Sequence, residues 1–320
     1  MASAALLELL AEVGATGYRF ITPTPATHQR FLANRGREAA ASLRDIFGWN
    51  LPFASHMIAP AMHAAMQRAG VLVASGNLFR SNVRIASLGD MLLLHSVYPT
   101  TQADAVFFGP DTYRFARFIA QAMPQFSSTA RPLRILDVGC GSGAGALFAA
   151  QTLRSRHPHL TAKEVVMNDI NPLALQFAAV NAAAAGIEVT LAGGDALAAT
   201  RGEFDMIISN PPYMQDAEKR AYRDGGAGLG RALSVRIAEE ALQRLAPGGT
   251  LLLYTGVAMT DAQDPFLTAL RPLLAARADR WSYEEIDPDV FGEELERPDY
   301  ARVERIAVVG LVASRDPACA

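Results

Sequence analysis

Leu133-Arg134-Ile135-Leu136-Asp137-Val138-Gly139-Cys140-Gly141-Ser142-Gly143-Ala144-Gly145 is the stretch that decides the fold. Leu133, Ile135, Leu136 and Val138 make a short apolar strand with Asp137 near its end. Gly139, Gly141 and Gly143 form a turn without side chains, and an alanine-rich helix starts at about Ala144. Such a strand–turn–helix brings backbone N–H groups and the positive end of a helix up to a ligand. A nucleotide-like molecule suits that seat. The run also satisfies the dinucleotide fingerprint, with Ala144 in its last place, and a plain βα turn is a third reading.

The segments downstream discriminate. Val165-Val166-Met167-Asn168-Asp169 is a second strand ending in an acid, and Ile207-Ile208-Ser209-Asn210-Pro211-Pro212-Tyr213 closes a third. A nicotinamide enzyme has no use for the last four of those residues. The trio resembles the class I S-adenosylmethionine-dependent methyltransferases. Asn210-Pro211-Pro212-Tyr213 narrows the resemblance to members acting on planar nitrogens, the amides and the exocyclic amines of bases.

From residue 133 onward strands and helices alternate. Strands are predicted near 133–138, 164–169, 187–191, 204–209 and 250–256, and helices near 144–156, 172–185 and 229–245, an α/β pattern with a parallel sheet. Two more strands are predicted at 280–286 and 303–313. The resemblance implies a seven-stranded Rossmann-like methyltransferase sheet whose final strand is antiparallel.

The first 107 residues read differently. Helices are predicted over 2–13, 27–34, 38–47 and 56–69, the last with Met57, Ile58, Met62 and Met66 on one face, a core pattern. Strands follow over 71–74, 78–87 and 91–97. A helix and a β-hairpin look like a winged-helix unit, here a substrate cap rather than a DNA reader, because the helix carries only Arg68 near its end. Residues 98–110 are predicted to link this unit (1–107) to the catalytic domain (108–320). Asp111 is predicted to cap a helix running to Met123, and 124–132 is a polar connection.

Composition bounds the function. The net charge of −3 gives no strong electrostatic case for nucleic acid. Lys163 and Lys219 are the only lysines, and Arg68, Arg80 and Arg84 make a thin phosphate footprint. Cys140 and Cys319 fit neither a disulfide framework nor a zinc site, so a reducing, cytoplasmic setting is expected. No basic segment precedes Leu6-Leu7, so no signal peptide is expected, and no apolar run is long enough to span a membrane. His157-Pro158-His159 has no cysteine nearby, so no metal is expected. The sequence leaves the oligomeric state open.

The resemblance implies S-adenosylmethionine as cofactor. Gly139, Cys140, Gly141 and Gly143 would approach its methionine part, and Asp137 its ammonium. Asp169, beside Ile170, would take the ribose hydroxyls or cap the next helix. Asp195, beside Ala196, would meet the adenine amine or form a surface turn. Asn210, with its side-chain oxygen, and Pro211, with its carbonyl, would accept the two N–H bonds of the acceptor and favour lone-pair density toward the methyl. Pro212 stiffens the loop and would meet the substrate with Tyr213, which would stack on it; Asn210 would also contact the cofactor. Phe108 and Tyr113, within an aromatic group with Tyr98 and Phe107, would line the acceptor pocket or serve as interdomain core. Arg223 and Asp224 are either substrate contacts or a polar loop, and Glu293-Glu294-Leu295-Glu296 reads as a solvated run.

Over 108–313 the chain is most similar to the release-factor glutamine methyltransferases and their small-domain relatives. Asp169-Ile170-Asn171-Pro172-Leu173-Ala174-Leu175 with Asn181-Ala182 matches that group's second-strand signature. Gly225-Gly226-Ala227-Gly228-Leu229 matches its glycine-rich segment. The group's Pro-Arg-Pro-Glu-Thr-Glu-like segment is replaced here by Phe107-Phe108-Gly109-Pro110-Asp111-Thr112-Tyr113. Its helical N-terminal bundle is replaced by the helix–hairpin unit. Both departures face the substrate, so the resemblance carries the chemistry and not the acceptor. A planar amide or amine of a protein (glutamine-like) or small molecule is expected. The alternatives are a base amine in RNA or DNA, cyclisation or aminobutyrate transfer from the cofactor, and a non-catalytic binding module.

Overall fold

The computed structural model describes residues 2–35, 38–123, 126, 133–158, 160 and 162–317. Most of the 124–132 connection, His159 and Cys319 lie outside the described residues.

The N-terminal part opens with α1 (Ala2–Ala15), which buries Leu6, Leu9, Leu10 and Val13 at helical spacing. α2 (Pro25–Arg35) follows, with His28 its buried residue. The predicted 38–47 helix does not form; a single π turn covers Arg44–Gly48. Asp45 explains this, since its carboxylate takes the Ala41 N–H and the Ser42 hydroxyl, local bonds that compete with a helix. α3 (Pro60–Ala69) starts at its proline and ends at left-handed Gly70, burying Met62 and Met66.

Two hairpins stand where one was predicted: β1 (Leu72–Ser75) with β2 (Leu78–Ser81), and β3 (Arg84–Leu88) with β4 (Met91–His95). The predicted 78–87 strand breaks because the Ser81 hydroxyl bonds both backbone groups of Val83, at 2.6 and 3.2 Å, and turns the chain.

The second half contains α4 (Pro110–Ala122), β5 (Leu133–Val138), α5 (Ala144–Arg156), β6 (Ala162–Asp169), α6 (Pro172–Ala184), β7 (Thr190–Gly193), β8 (Phe204–Ser209), α7 (Ala232–Leu242), β9 (Leu245–Met259), α8 (Pro265–Arg277), β10 (Arg280–Asp287) and β11 (Arg305–Ser314). α8 fills a stretch with no predicted element. Its start signals, the Asp264 cap and Pro265, are present, but Pro272 inside it obscures the periodicity. The seven strands run β10-β11-β9-β8-β5-β6-β7, with β11 antiparallel to both neighbours and β5 to β9 parallel. β5 is therefore internal, and the strand order reverses beside it, where an open α/β sheet forms a crevice.

α4 packs Phe115, Phe118 and Ile119 on one sheet face, and α7 and α8 pack Ile237, Ala238, Phe266 and Leu270 on the other. α6 gives Ala174, Phe177 and Val180 to the core built by the N-terminal helices and hairpins. Among the described residues no helix is long and apolar enough to cross a membrane.

Candidate functional site

The glycine turn after β5 is pinned to the end of β6. Cys140 N–H donates to the Asn168 carbonyl, and Gly141 N–H to the Asp169 carboxylate, both at 2.8 Å. Gly139 and Gly141 take φ of +70° and +54°, and a Cβ built on either meets nothing within 4 Å. Both line a cavity of about 430 Å³, so the turn is bare on the side a ligand would occupy. Gly145 is bare for another reason. A Cβ there would lie 2.8 Å from Asp137 Oδ2 and 2.7 Å from Phe115, so its absence lets α5 settle on the strand end.

Asp137 lines the cavity and is 2% exposed; its Oδ2 accepts the Ala146 N–H at 2.9 Å. Burial pushes its carboxyl up to about 7. Asp169 accepts from the N–H groups of Gly141 and Asn171, each at 2.8 Å, and burial again raises its pKa. Asn171, not Asp169, caps α6, its Oδ1 accepting the Leu173 N–H at 3.0 Å. Ile170, beside Asp169, lines the cavity with 61% of its surface exposed, an apolar shelf at the mouth. Asp195 and Ala196 line the same end. Both oxygens of Asp195 accept from Arg236, at 2.7 and 2.9 Å, which holds its pKa below the ordinary value.

Asn210, Pro211, Pro212 and Tyr213 line the same cavity, leaving the end of β8 next to the glycine turn, since Ser209 pairs with Val138. Among the described residues neither the Asn210 side chain nor the Pro211 carbonyl has a hydrogen-bond partner. Tyr213 is buried, its ring pressed on Gly256, where a Cβ would stand 2.2 Å away. Its hydroxyl donates to Asp111, and Phe291 meets it edge-on at 6.1 Å. The Gly225–Gly230 segment seats the loop, for a Cβ on Gly230 would be 2.2 Å from the Tyr213 carbonyl.

Several expectations are corrected here. Phe108 and Tyr113 do not line the cavity. Phe108 is 2% exposed, stacked on His95 at 5.2 Å, and the Tyr113 hydroxyl accepts the Thr22 N–H at 3.0 Å. Phe107 and Tyr222, stacked 6.2 Å apart, face the cavity instead. Asp111 does not cap α4; Gly109 holds that place. Asp111 lies buried in the first turn, accepting from Tyr213, Tyr254 and Arg114. Nor is Glu294 solvated. It is 6% exposed and paired with Arg223 and Arg297. Arg223 lines the cavity, whereas Asp224 pairs with Lys219 at 3.2 Å.

The donor set suits a nucleoside carrying a cationic tail: a bare turn, two buried carboxylates and an apolar shelf. In the same cavity a pair of acceptors, Asn210 Oδ1 and the Pro211 carbonyl, has no partner of its own.

Residues 115–263 match the family described as Methyltransferase small domain. The release factor glutamine methyltransferase of Deinococcus radiodurans is 36% identical over 175 residues, 50% of this chain and 55% of that protein. The ribosomal RNA small subunit methyltransferase C of Hahella chejuensis is 32% identical over 135 residues, 42% of this chain and 33% of that protein. A solved ribosomal protein L11 methylase from Lactobacillus delbrueckii subsp. bulgaricus aligns with a TM-score of 0.40 at 21% identity, over 66% of this chain and 81% of that one. The chain spans about half, or less, of the length of the curated relatives it matches. The likeness to a methyltransferase small domain is carried by residues 115–263, a little under half of the chain, and these residues hold β5 to β9 and most of the cavity lining.

Proposed function

We propose that the chain is an S-adenosylmethionine-dependent N-methyltransferase acting on a planar amide or amine nitrogen of a protein or small molecule. The observation that carries this reading is the unpartnered pair, Asn210 Oδ1 and the Pro211 carbonyl, in the cavity that the glycine turn also lines.

The cofactor, when bound, supplies a methyl already made electrophilic by the sulfonium. The chain's task is to hold donor and acceptor in line. Asp137 would hold the ammonium, Asp169 the ribose hydroxyls, and Ile170 would cover the adenine. Asp195 reaches the adenine amine only if it shares an oxygen with Arg236, and Ala196 offers backbone beside it. Asn210 and Pro211 each accept one N–H of the acceptor, turning its lone pair toward the methyl, a bond pattern worth more in the transition state than in the ground state. Phe107 and Tyr222 guide a flat group inward, the part first expected of Phe108 and Tyr113.

A base amine in nucleic acid is the second reading, favoured by the similarity to the Hahella ribosomal RNA enzyme. The charge of the cavity weighs against it. Asp111, Asp137, Asp169, Asp195, Glu293 and Glu294 line it, and Arg223, its only lining base among the described residues, is already paired with Glu294. Phosphates are poorly received there.

The test is calorimetry with S-adenosylhomocysteine, followed by methyl-labelled cofactor with a cell lysate split into protein, RNA and small-molecule fractions. Label in protein or small molecules supports the first reading. Salt-sensitive binding and label in RNA overturn it. Release of methylthioadenosine without methylation shifts the reaction to aminobutyrate chemistry.

A further inference from the structure

The segment between β4 and α4 is more than a linker. Its two ends meet: Ser96 N–H donates to the Val106 carbonyl at 3.0 Å, and Val106 N–H donates to the Ser96 hydroxyl at 2.8 Å. Residues 97–105 thus form a loop with a fixed base. Residues 101–104 face solvent, while Ala105, Val106 and Phe107 line the cavity. Of residues 97–105, Ala105 lines the cavity, and the loop is tied to it through Asn171, Ala221 and Tyr222, which line it as well.

On the cofactor side, Asn171 Nδ2 donates to the Asp104 carbonyl at 2.7 Å. On the acceptor side, the Tyr222 hydroxyl donates to the Thr100 carbonyl, and Ala221 N–H to the Ala103 carbonyl at 3.3 Å. The Tyr98 ring adds a further tie, stacked on His28 at 4.1 Å, while the tip, residues 101–104, is exposed, the profile of a segment that opens locally without global unfolding. Asn171 is the key tie because it serves three partners at once. Its N–H contacts Asp169, its Oδ1 caps α6, and its Nδ2 holds the loop. The loop and the seat proposed for the ribose are joined in one residue, by its backbone N–H on Asp169 and its side chain on the Asp104 carbonyl.

We propose that the 97–105 loop is a gate over the cofactor, with Asn171 as its latch and Tyr222 as the second fastening. Opening admits S-adenosylmethionine and releases its product; closure joins the cofactor wall to the acceptor wall. The inference rests on the cofactor occupying this cavity.

Two substitutions isolate the latch. Asn171→Asp keeps an oxygen for the Leu173 N–H cap and removes the Nδ2 donor. Tyr222→Phe removes the second fastening, keeps the ring on Phe107 and adds no charge beside Asp169. The labelled cofactor is bound to the full chain and chased with excess S-adenosylhomocysteine. Each variant is expected to release label about three- to tenfold faster than the parent, the loss of one hydrogen bond. The double variant is expected to be faster still, with greater hydrogen exchange confined to 97–105. Unchanged release in both single variants and the double overturns the gate, although the parent binds cofactor. Absence of cofactor binding by the parent overturns the cavity assignment as well, so the two failures are told apart.

Discussion

The Tyr213 hydroxyl donates to the buried carboxylate of Asp111, 102 residues away in sequence, and Asp111 accepts a second hydroxyl from Tyr254 at 3.1 Å. A residue at the start of α4 thereby fixes the last residue of the Asn-Pro-Pro-Tyr loop. Arg114, which reaches both Asp111 and Asp287, completes the anchor. Asp111→Asn leaves Tyr213, Tyr254 and Arg114 facing an amide. It is expected to cost roughly 3 kcal/mol of stability, as when one partner of a buried charged pair is removed. Turnover is expected to fall at least about tenfold with cofactor affinity nearly unchanged, a misplacement of the loop alone. Urea unfolding measures the first, and methyl transfer from labelled cofactor beside calorimetry with S-adenosylhomocysteine measures the second; equal loss of turnover and cofactor affinity would count against the anchor.

Asn210→Ala deletes one of the two unpartnered acceptors. If it acts on the acceptor nitrogen, turnover falls about 10²- to 10³-fold, as for other groups aimed at a transition state. The S-adenosylhomocysteine dissociation constant should stay within about twofold, because a group serving the transition state adds little to ground-state binding. A matching rise in that constant would show that Asn210 serves the cofactor instead.

Gly141→Ala and Gly256→Ala should fail in opposite ways. The first places a methyl in open space inside the cavity at φ +54°, so it strains the backbone by about 1–2 kcal/mol and blocks the ligand. The second drives a methyl into the Tyr213 ring, an overpacking cost of about 1–3 kcal/mol, and spares the cofactor seat. Thermal melts with and without S-adenosylhomocysteine report both: ligand stabilisation is lost in the first and kept in the second. The reverse pattern would refute the assignment of the walls.

Asp137 links the site to pH. Burial holds its carboxyl at about 7 against an ordinary 3.8. An ammonium beside it requires the ionised form, so S-adenosylhomocysteine affinity should weaken below pH 7, toward about tenfold per unit. Asp137→Asn should bind weakly at every pH, and a slope persisting in that variant would assign the titration elsewhere. In the ligand-free protein the sign reverses. A pKa raised by folding contributes stability that is fully present below 3.8 and lost as pH rises through about 7. The difference in melting between parent and Asp137→Asn isolates that contribution.

The N-terminal part should respond in the other direction. Burial, with Arg84 adding to it, holds His28 at about 4 against an ordinary 6.5, and His95 is lowered for the same reasons. Stability from these neutral rings is present above pH 6.5 and lost as pH falls through about 4. Trp49, whose carbonyl meets His28 Nε2 at 3.1 Å, reports the change once Trp281→Phe removes the other tryptophan. A Trp49 signal flat from pH 7 to 4 would show that these histidines do not couple to folding.

The strand ends are legible in the sequence because period and position coincide there. Asp137, Asp169 and Asn210 each close an apolar run, and the sheet topology alone brings them to one crevice. Phe107 and Phe108 show where that legibility stops. Successive residues of an extended segment face opposite ways, and nothing local says which of the two faces inward. Asp111 reads as a cap because Gly-Pro-Asp-Thr is helix-start chemistry; only packing of α4 against β9 brings it to Tyr213. Glu294 sits in an acidic run and is buried by Arg223 and Arg297, partners that sequence spacing does not reveal. Ser81 and Asp45, which break one predicted strand and one predicted helix, act through side-chain bonds that compete with regular structure.

Asn181, on α6, accepts the Leu94 N–H at 2.8 Å and donates to the Leu94 carbonyl at 3.1 Å and the Ser142 carbonyl at 2.8 Å. One side-chain amide therefore mimics a neighbouring strand for β4 while holding the glycine turn. The N-terminal part is for that reason not a bead strung ahead of an independent enzyme. Cutting the chain before α4 would strip the partner from a fully buried amide and expose Ala174, Phe177 and Val180. Any replacement unit would have to arrive with an edge strand offering both backbone groups of one residue to Asn181. Exchange of the N-terminal part of this chain is thereby restricted to units that share this docking rule.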